Sequence, residues 1–235
     1  MIELNKIYNE DYLELFSKLE DNSIDLIVTD PPYLTTSRGN AGNSGGMMQK
    51  KINKKGQVFK HNSVNISDYA PEFYRVLKDG THCYVMTNHK NLIEMLNEFT
   101  NAGFVFTKSL IWNKGNKIMG QFYMSQFEYI LFFRKGKGKR INHCGTSDIL
   151  EVANKKTKNA EGKNIHDTEK PVELMKILIE NSTKENEIVL DPFVGVGATA
   201  IASIELGRQF IGTELDEEYF AIANERLKEN NNGKN

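Results

Sequence analysis

An unbroken apolar run that ends on two prolines constrains this chain more than any other feature. Ile24-Asp25-Leu26-Ile27-Val28 leads into Thr29-Asp30-Pro31-Pro32-Tyr33. The run reads as a strand buried on both faces, as in a parallel sheet covered by helices. Proline has no N–H to give a ladder and fixes φ, so two in succession end the strand without starting a helix. The stop leaves a carboxylate, a stiff backbone with free carbonyls and an aromatic ring at a strand's carboxyl end. Open α/β sheets bind ligands at that edge. An aromatic face beside hydrogen-bond acceptors suits a flat ring bearing an amino group. A turn with a helix cap would use the same residues, so the motif alone leaves both readings open.

The rest of the chain alternates. A short strand over Leu4–Tyr8 precedes Asp11 and an amphipathic helix over Tyr12–Leu19. Leu34 to Ile66 is rich in Gly, Asn, Ser and Lys and too long for a connector, which marks it as functional or mobile. Ser67 is placed to cap a helix closed by Gly80. Strands are predicted over Thr81–Thr87, Phe104–Trp112 and Phe127–Phe133, with a helix over Asn91–Asn101 and a short one over Gln121–Gln126. Little helix separates Trp112 from Phe127, which points to an antiparallel pair. No clear element is legible from Arg134 to Thr168. Pro171 then opens a helix at the turn where its missing N–H costs nothing. A strand over Ile188–Leu190, a helix from Ala198 to Leu206, a strand over Gln209–Thr213 and a helix capped by Asp216 complete the pattern. This predicts one α/β domain over residues 1–235, doubly wound around a mostly parallel seven-stranded sheet.

The strand over Ile188–Leu190 ends in Asp191-Pro192-Phe193-Val194-Gly195-Val196-Gly197-Ala198-Thr199-Ala200. Gly195, Gly197 and Ala200 fit the G-x-G-x-x-G/A fingerprint, with a strand before and a helix after. Glu214 ends the next strand, where an acidic side chain accepts ribose hydroxyls. A nicotinamide cofactor would set its pyrophosphate on the helix N-terminus. S-adenosylmethionine has no pyrophosphate, but an ammonium and a sulfonium that Asp191 and Asp30 would suit. The residues favour the methyl donor and leave both open.

Net charge is −1, yet the charges are segregated. Pro31 to Ser67 holds no Asp or Glu but contains Arg38, Lys50, Lys51, Lys54, Lys55 and Lys60. A second basic stretch carries Arg134, Lys135, Lys137, Lys139 and Arg140. Such asymmetry points to a polyanion on one face, although solvated loops are the commoner fate of a lysine run. Cys83 and Cys144 are isolated and the five histidines lack ligand spacing, so no metal is predicted and a reducing cytoplasm is expected. The N-terminus does not read as a signal peptide, and no apolar run is long enough to span a membrane.

Asp30-Pro31-Pro32-Tyr33 resembles the catalytic motif of amino-methylating DNA methyltransferases, and Asp191 to Gly197 resembles their cofactor motif. The order, catalytic motif first and cofactor motif last, is that of the circularly permuted beta class. His166-Asp167-Thr168-Glu169-Lys170-Pro171, Ile111-Trp112-Asn113-Lys114, Phe127-Glu128-Tyr129-Ile130-Leu131 and Arg208 to Glu214 are also similar to family segments. The resemblance covers most of the chain except about 37–63 and 136–163. It implies a Rossmann-like methyltransferase sheet with DNA-recognition insertions at about 34–66 and 134–168. It also implies that the Ile188–Leu190 strand lies beside Ile24–Thr29, and the first strand beside the last.

The activity implied is methyl transfer from S-adenosylmethionine to the N6 amine of an adenine flipped out of double-stranded DNA. Asp30 and the Pro31 carbonyl would accept the amine's N–H groups, Pro32 would stiffen the stop and Tyr33 would stack on the base. Asp11, Lys170, Asp191, Pro192, Phe193, Gly195, Gly197, Thr199 and Glu214 would form the cofactor site with Asp30. Asp11 would reach the cofactor's adenine or cap the following helix, and Lys170 would meet the cofactor carboxylate or stand at a helix start. Arg38, Lys50, Lys51, Lys54, Lys55, Arg134, Lys137, Lys139 and Arg140 are expected on phosphates. Asp at the motif's first position favours adenine by family analogy. N4-cytosine methylation and an inactive DNA-binding protein with a vestigial pocket are the alternatives. The resemblance also leaves a homodimer and a cognate restriction endonuclease open as partners.

Overall fold

The computed structural model describes residues 2–32, 64–118, 122–155 and 169–232. Among the described residues, eight strands form one sheet: β1 (Lys6–Tyr8), β2 (Ile24–Thr29), β3 (Leu77–Thr87), β4 (Val105–Ile118), β5 (Ser125–Arg134), β6 (Ile149–Glu151), β7 (Ile188–Asp191) and β8 (Gln209–Thr213). Six helices accompany them: α1 (Tyr12–Lys18), α2 (Ile66–Val76), α3 (Leu92–Asn101), α4 (Val172–Ser182), α5 (Ala198–Glu205) and α6 (Glu217–Asn232). The strand order is β1-β8-β7-β2-β3-β5-β4-β6. Only β5 runs antiparallel to its neighbours. The expected doubly wound, permuted sheet is therefore present.

Alternation along β2, shifted by one residue at an irregularity between Ile24 and Leu26, explains the two-faced winding. Ile24 and Ile27 pack with α1, α2 and α3, in a layer built on Phe16, Phe73, Phe99 and Phe133. Leu26 and Val28 pack with α4 and α5 through Leu174, Leu178 and Ala202. A smaller cluster of Ile7, Ile201, Phe210, Ala223 and Leu227 seats α5 and α6 at the other end. Every β2 residue is buried, as its unbroken apolar run demands.

Three expectations are corrected. The helix thought to start at Ser67 begins after Asn65 and stops at Val76. Gly80 does not close it; it lies within β3 at φ 78°, donating its N–H to Lys135 O. Leu77 already pairs with Ile24, so the strand takes over where a longer helix was expected. No helix lies between Phe122 and Gln126: Ser125 and Gln126 belong to β5, which forms a long hairpin with β4. Finally, β6 adds an eighth, edge strand beside β4, held by three residue pairs. So short a strand carries too little periodicity to be read from sequence.

The second basic stretch holds a lysine that serves the fold. Lys135 is buried, and its Nζ donates to Asn22 Oδ1 at 2.8 Å, Tyr74 O at 2.7 Å and Leu77 O at 2.8 Å. It thereby satisfies carbonyls at the C-terminal end of α2, where a cation also suits the helix dipole. Burial pushes its ammonium below the ordinary lysine value, against nearby Asp79 and Asp21. Lys135→Met keeps the apolar stem but orphans those acceptors. It should lower unfolding stability by about 2–3 kcal/mol in urea titrations, and unchanged stability would refute this role.

Candidate active site

Strand pairing brings the two motifs together. Leu26 and Ile27 of β2 pair in parallel with Val189 and Leu190 of β7, so both strands end at the same edge. Asp30 follows directly from β2 with its carboxyl 23% exposed, and Pro31 behind it is buried. Thr29 Oγ1 donates to Asp191 Oδ1 at 2.6 Å in a buried hydrogen bond, and the Phe193 N–H donates to the same oxygen at 3.1 Å. The threonine of one motif thus orients the carboxylate of the other. Burial pushes the Asp191 carboxyl up to about 6, opposed by hydrogen bonds from Thr29, Thr199 and the Phe193 N–H and reinforced by the charge of Asp30.

The glycine turn after Pro192 divides two tasks. Gly197 sits at φ 90° as the cap of α5, and a Cβ there would lie 3.3 Å from Ala223 Cβ on α6. Its smallness serves helix packing. Gly195, at φ 55°, has nothing within 4 Å of where a Cβ would stand, so its backbone faces open space. Its N–H donates to Glu214 Oε2 at 2.8 Å, while the Asp216 N–H donates to Oε1 at 2.8 Å. Burial pushes the Glu214 carboxyl up to about 7 despite those two N–H groups. An open loop backbone, with a poised carboxylate at the next strand end and a buried one between, fits a nucleoside that also carries cationic groups.

The other expected cofactor residues divide. Asp11 caps α1, its Oδ1 accepting the Leu13 N–H at 2.8 Å. The Phe193 ring packs 5.2 Å from Tyr12 and 5.6 Å from Tyr69, joining the loop to the aromatic core. Lys170, expected on a cofactor carboxylate or at a helix start, stands just before the Pro171 cap of α4, pairs with Asp30 Oδ2 and lies 3.6 Å from Glu128 Oε2. Lys114 pairs with the other Glu128 oxygen. Two lysines and two carboxylates therefore alternate from the hairpin to the proline stop. Burial disfavours the Lys170 ammonium, but Asp30 and Glu128 outweigh it and hold the group above the ordinary lysine value. Glu128 was legible only as part of a family segment; an acid inside a strand carries no signal of its partner 42 residues on.

Among the described residues, those of the second basic stretch do not gather at this edge. Arg134 pairs with His82, which stands level with Leu26 in the first half of β2, whereas Thr29 pairs with Val85 further along β3. Lys139 donates its N–H to Gly80 O at 2.9 Å, and its Nζ lies 3.9 Å from Glu187, just before β7. Arg134, Lys137, Lys139 and Arg140 thus follow the antiparallel β5 to the amino edge of the sheet. Phosphate contacts are expected of these residues, and the structure places them at the edge opposite Asp30. Tyr33, Arg38, Lys50, Lys51, Lys54 and Lys55 lie outside the described residues. No described helix is long and apolar enough to cross a membrane.

A parallel sheet with a glycine turn, an acid ending the next strand and an Asp-Pro-Pro stop on the adjacent one defines a methyltransferase-type site. The DNA methylase family of N6 and N4 enzymes matches residues 24–225, and the chain belongs to it. It is 30% identical to the type II methyltransferase M2.DpnII of Streptococcus pneumoniae, over 96% of this chain and 90% of that protein. It is 29% identical to the type II methyltransferase M.HinfI of Haemophilus influenzae, over 96% of this chain and 69% of that protein. Two solved structures share the fold. The cytosine-N4-specific PvuII DNA methyltransferase matches with a TM-score of 0.71 at 16% identity, over 97% of this chain and 91% of its own. M1.HpyAVI, solved in complex with SAM, matches with 0.69 at 24% identity, over 94% and 98%. The family, fold and methyltransferase class expected from the motifs therefore hold.

Lys170 separates two carboxylates, and its loss should be felt through them. Lys170→Met should cost about 3 kcal/mol of stability at pH 8. Adding Glu128→Gln to that variant should return part of the deficit, because the second carboxylate facing Asp30 is then neutral. Urea titrations of the single and double variants at pH 8 check this; an equal deficit in both would rule out the charge account.

Proposed function

We propose that this chain transfers the methyl group of S-adenosylmethionine to the N6 amine of an adenine extruded from double-stranded DNA. The observation that carries the reading is the Asp30-Pro31-Pro32 stop standing beside Asp191, with Thr29 joining them at 2.6 Å. Membership of the DNA methylase family and the SAM complex of M1.HpyAVI support it.

Adenine's exocyclic nitrogen is a poor nucleophile because its lone pair is delocalised into the ring. Asp30 and the Pro31 carbonyl, at a stiff strand end, accept its two N–H groups and favour a tetrahedral nitrogen with a localised lone pair. Asp30 then stabilises the positive charge that grows on nitrogen. Buried Pro31 fixes that carbonyl before the base arrives, which is catalysis by positioning. The cofactor supplies an electrophilic methyl on a sulfonium, taken by direct displacement, so no enzyme nucleophile is needed. Glu214 would accept the ribose hydroxyls, Gly195 would let the backbone approach, and Asp191 would meet the cationic amino-acid end. Tyr33 stacks on the extruded base. The reaction belongs in the cytoplasm beside DNA, and relatives named type II methyltransferases make a cognate restriction endonuclease the expected partner.

Nucleoside mass spectrometry of DNA incubated with the protein and S-adenosylmethionine should show N6-methyladenine. Asp30→Ala should abolish it while leaving cofactor binding by calorimetry within a few fold. N4-methylcytosine would keep the mechanism and replace the base; wild-type turnover by Asp30→Ala would refute the role of Asp30.

Glu214 sets a pH dependence. Its carboxyl, raised by burial to about 7, binds protons in the folded state that the unfolded chain has released. Apo stability contributed by this group is therefore present at low pH and lost as pH rises from about 4.5 to 7. Ribose hydroxyls donate to the ionised form, so cofactor affinity should rise over the upper part of that window and level off above pH 7. Glu214→Gln should flatten the profile, weaken binding at pH 8 about tenfold and stabilise the apo protein there by roughly 1–3 kcal/mol. Calorimetry and thermal melts between pH 5.5 and 8.5 test both signs; a wild-type affinity independent of pH would exclude ionised Glu214 as the ribose acceptor.

A further inference from the structure

The β4–β5 hairpin projects past the sheet on the side of the active site. The β3–β5 ladder ends at Thr87 and Tyr129, and β6 reaches only as far as Asn113. The β4–β5 pairing runs on through Asn113 and Phe127 to Ile118 and Ser125, with an irregularity between them. Measured along β5 at about 3.3 Å per residue, the paired arm extends roughly 7 Å beyond β6 and roughly 13 Å beyond the β3 ladder. Its base is fixed: Asn113 Oδ1 accepts from the Gly115 N–H and the Gln126 Nε2, each at 3.1 Å. Glu128, at the foot of the arm, joins it to Lys170 and so to Asp30.

The end of this arm is unusually apolar for a free surface. Phe122 is 88% and Tyr123 93% exposed, with Met124 and Phe127 also exposed beside them. No Asp or Glu occurs from Asn113 to Phe127, while Lys117 on the same arm is exposed. Clustered exposed aromatics mark a contact surface. A narrow, projecting and basic arm does not suit a flat protein face; it suits a groove lined with negative charge.

We propose that Phe122 and Tyr123 are a DNA wedge: they enter the duplex beside the target and stack on the bases left unpaired when the adenine is extruded. This rests on the proposed function and adds a surface to it. Extruding a base leaves a gap with exposed base faces, and aromatic rings fill it favourably whatever the sequence. Lys117 lies where it meets the neighbouring phosphates. The arm's anchorage through Glu128 ties its position to that of Asp30, so filling the gap and receiving the base occur together.

The test uses the full chain and a duplex bearing the sequence that the wild type methylates, with 2-aminopurine at the target adenine. In the double variant Phe122→Ser, Tyr123→Ser, the fluorescence rise on base extrusion should be lost and KM for DNA should rise at least tenfold. Cofactor affinity by calorimetry and the thermal midpoint should stay unchanged, because both side chains are solvent-facing. Tyr123→Phe should retain wild-type extrusion, since stacking needs the ring and not the hydroxyl. A double variant that extrudes and methylates like wild type overturns the wedge alone. Sedimentation showing that the double variant merely dissociates a wild-type dimer would assign the tip to a second copy and overturn it too. Failure of the wild type itself to methylate DNA overturns the proposed function and the wedge with it.

Discussion

The parallel pairing of β2 with β7 is the constraint on which the site depends. These strands are separated by most of the chain, and only their register places Asp30 and Asp191 at one edge. The Thr29–Asp191 hydrogen bond makes the register chemical, since slipping β2 by one residue would turn Thr29 to the other face and leave a buried carboxylate without its donor. Burial of both strands on both faces makes such a slip costly for the core as well. Folding and assembly of the site are therefore one event: the bond that fixes the core's register also sets the carboxylates.

Charge at the same edge is managed by alternation. Asp30, Asp191 and Glu214 lie near one another, and the last two are raised by burial. Such a concentration of acid suits a cationic cofactor and a reaction that builds positive charge on nitrogen, but it strains the empty fold. Lys170 answers at Asp30, and N–H groups from Phe193, Gly195 and Asp216 answer at the other two. Fixed dipoles satisfy the carboxylates toward the cofactor side, where a second mobile cation would compete with the ligand. The one fully charged partner stands toward the hairpin.

Much of this was legible in the sequence because it is local. The proline stop, the glycine turn, Glu214 at a strand end and the Asp216 cap each follow from a few adjacent residues, and all stand where their pattern puts them. The antiparallel character of β5 followed from the missing helix between it and β4. What failed was non-local. Leu77 was given to α2 because its partner Ile24 lies far upstream. Three-residue β6 exists only because β4 offers it an edge. Lys170 faced Asp30 rather than open solvent because the permuted sheet folds its segment back over the first motif, which no spacing reveals.

The basic stretch after β5 shows why charge composition is a weaker guide than charge placement. One antiparallel strand reverses the edge on which its end emerges, so Arg134 to Arg140 arrive opposite the site. There Lys135 holds the end of α2, and the Lys139 backbone closes against Gly80 and His82. These lysines make the amino edge a structural seam. The same reversal sends the other end of β5, with its acid-free arm and exposed aromatic tip, to the edge where Asp30 stands. A single strand direction thus exchanges the two regions: the lysine-rich segment ends at the amino edge, and the segment that composition would pass over stands at the edge of Asp30.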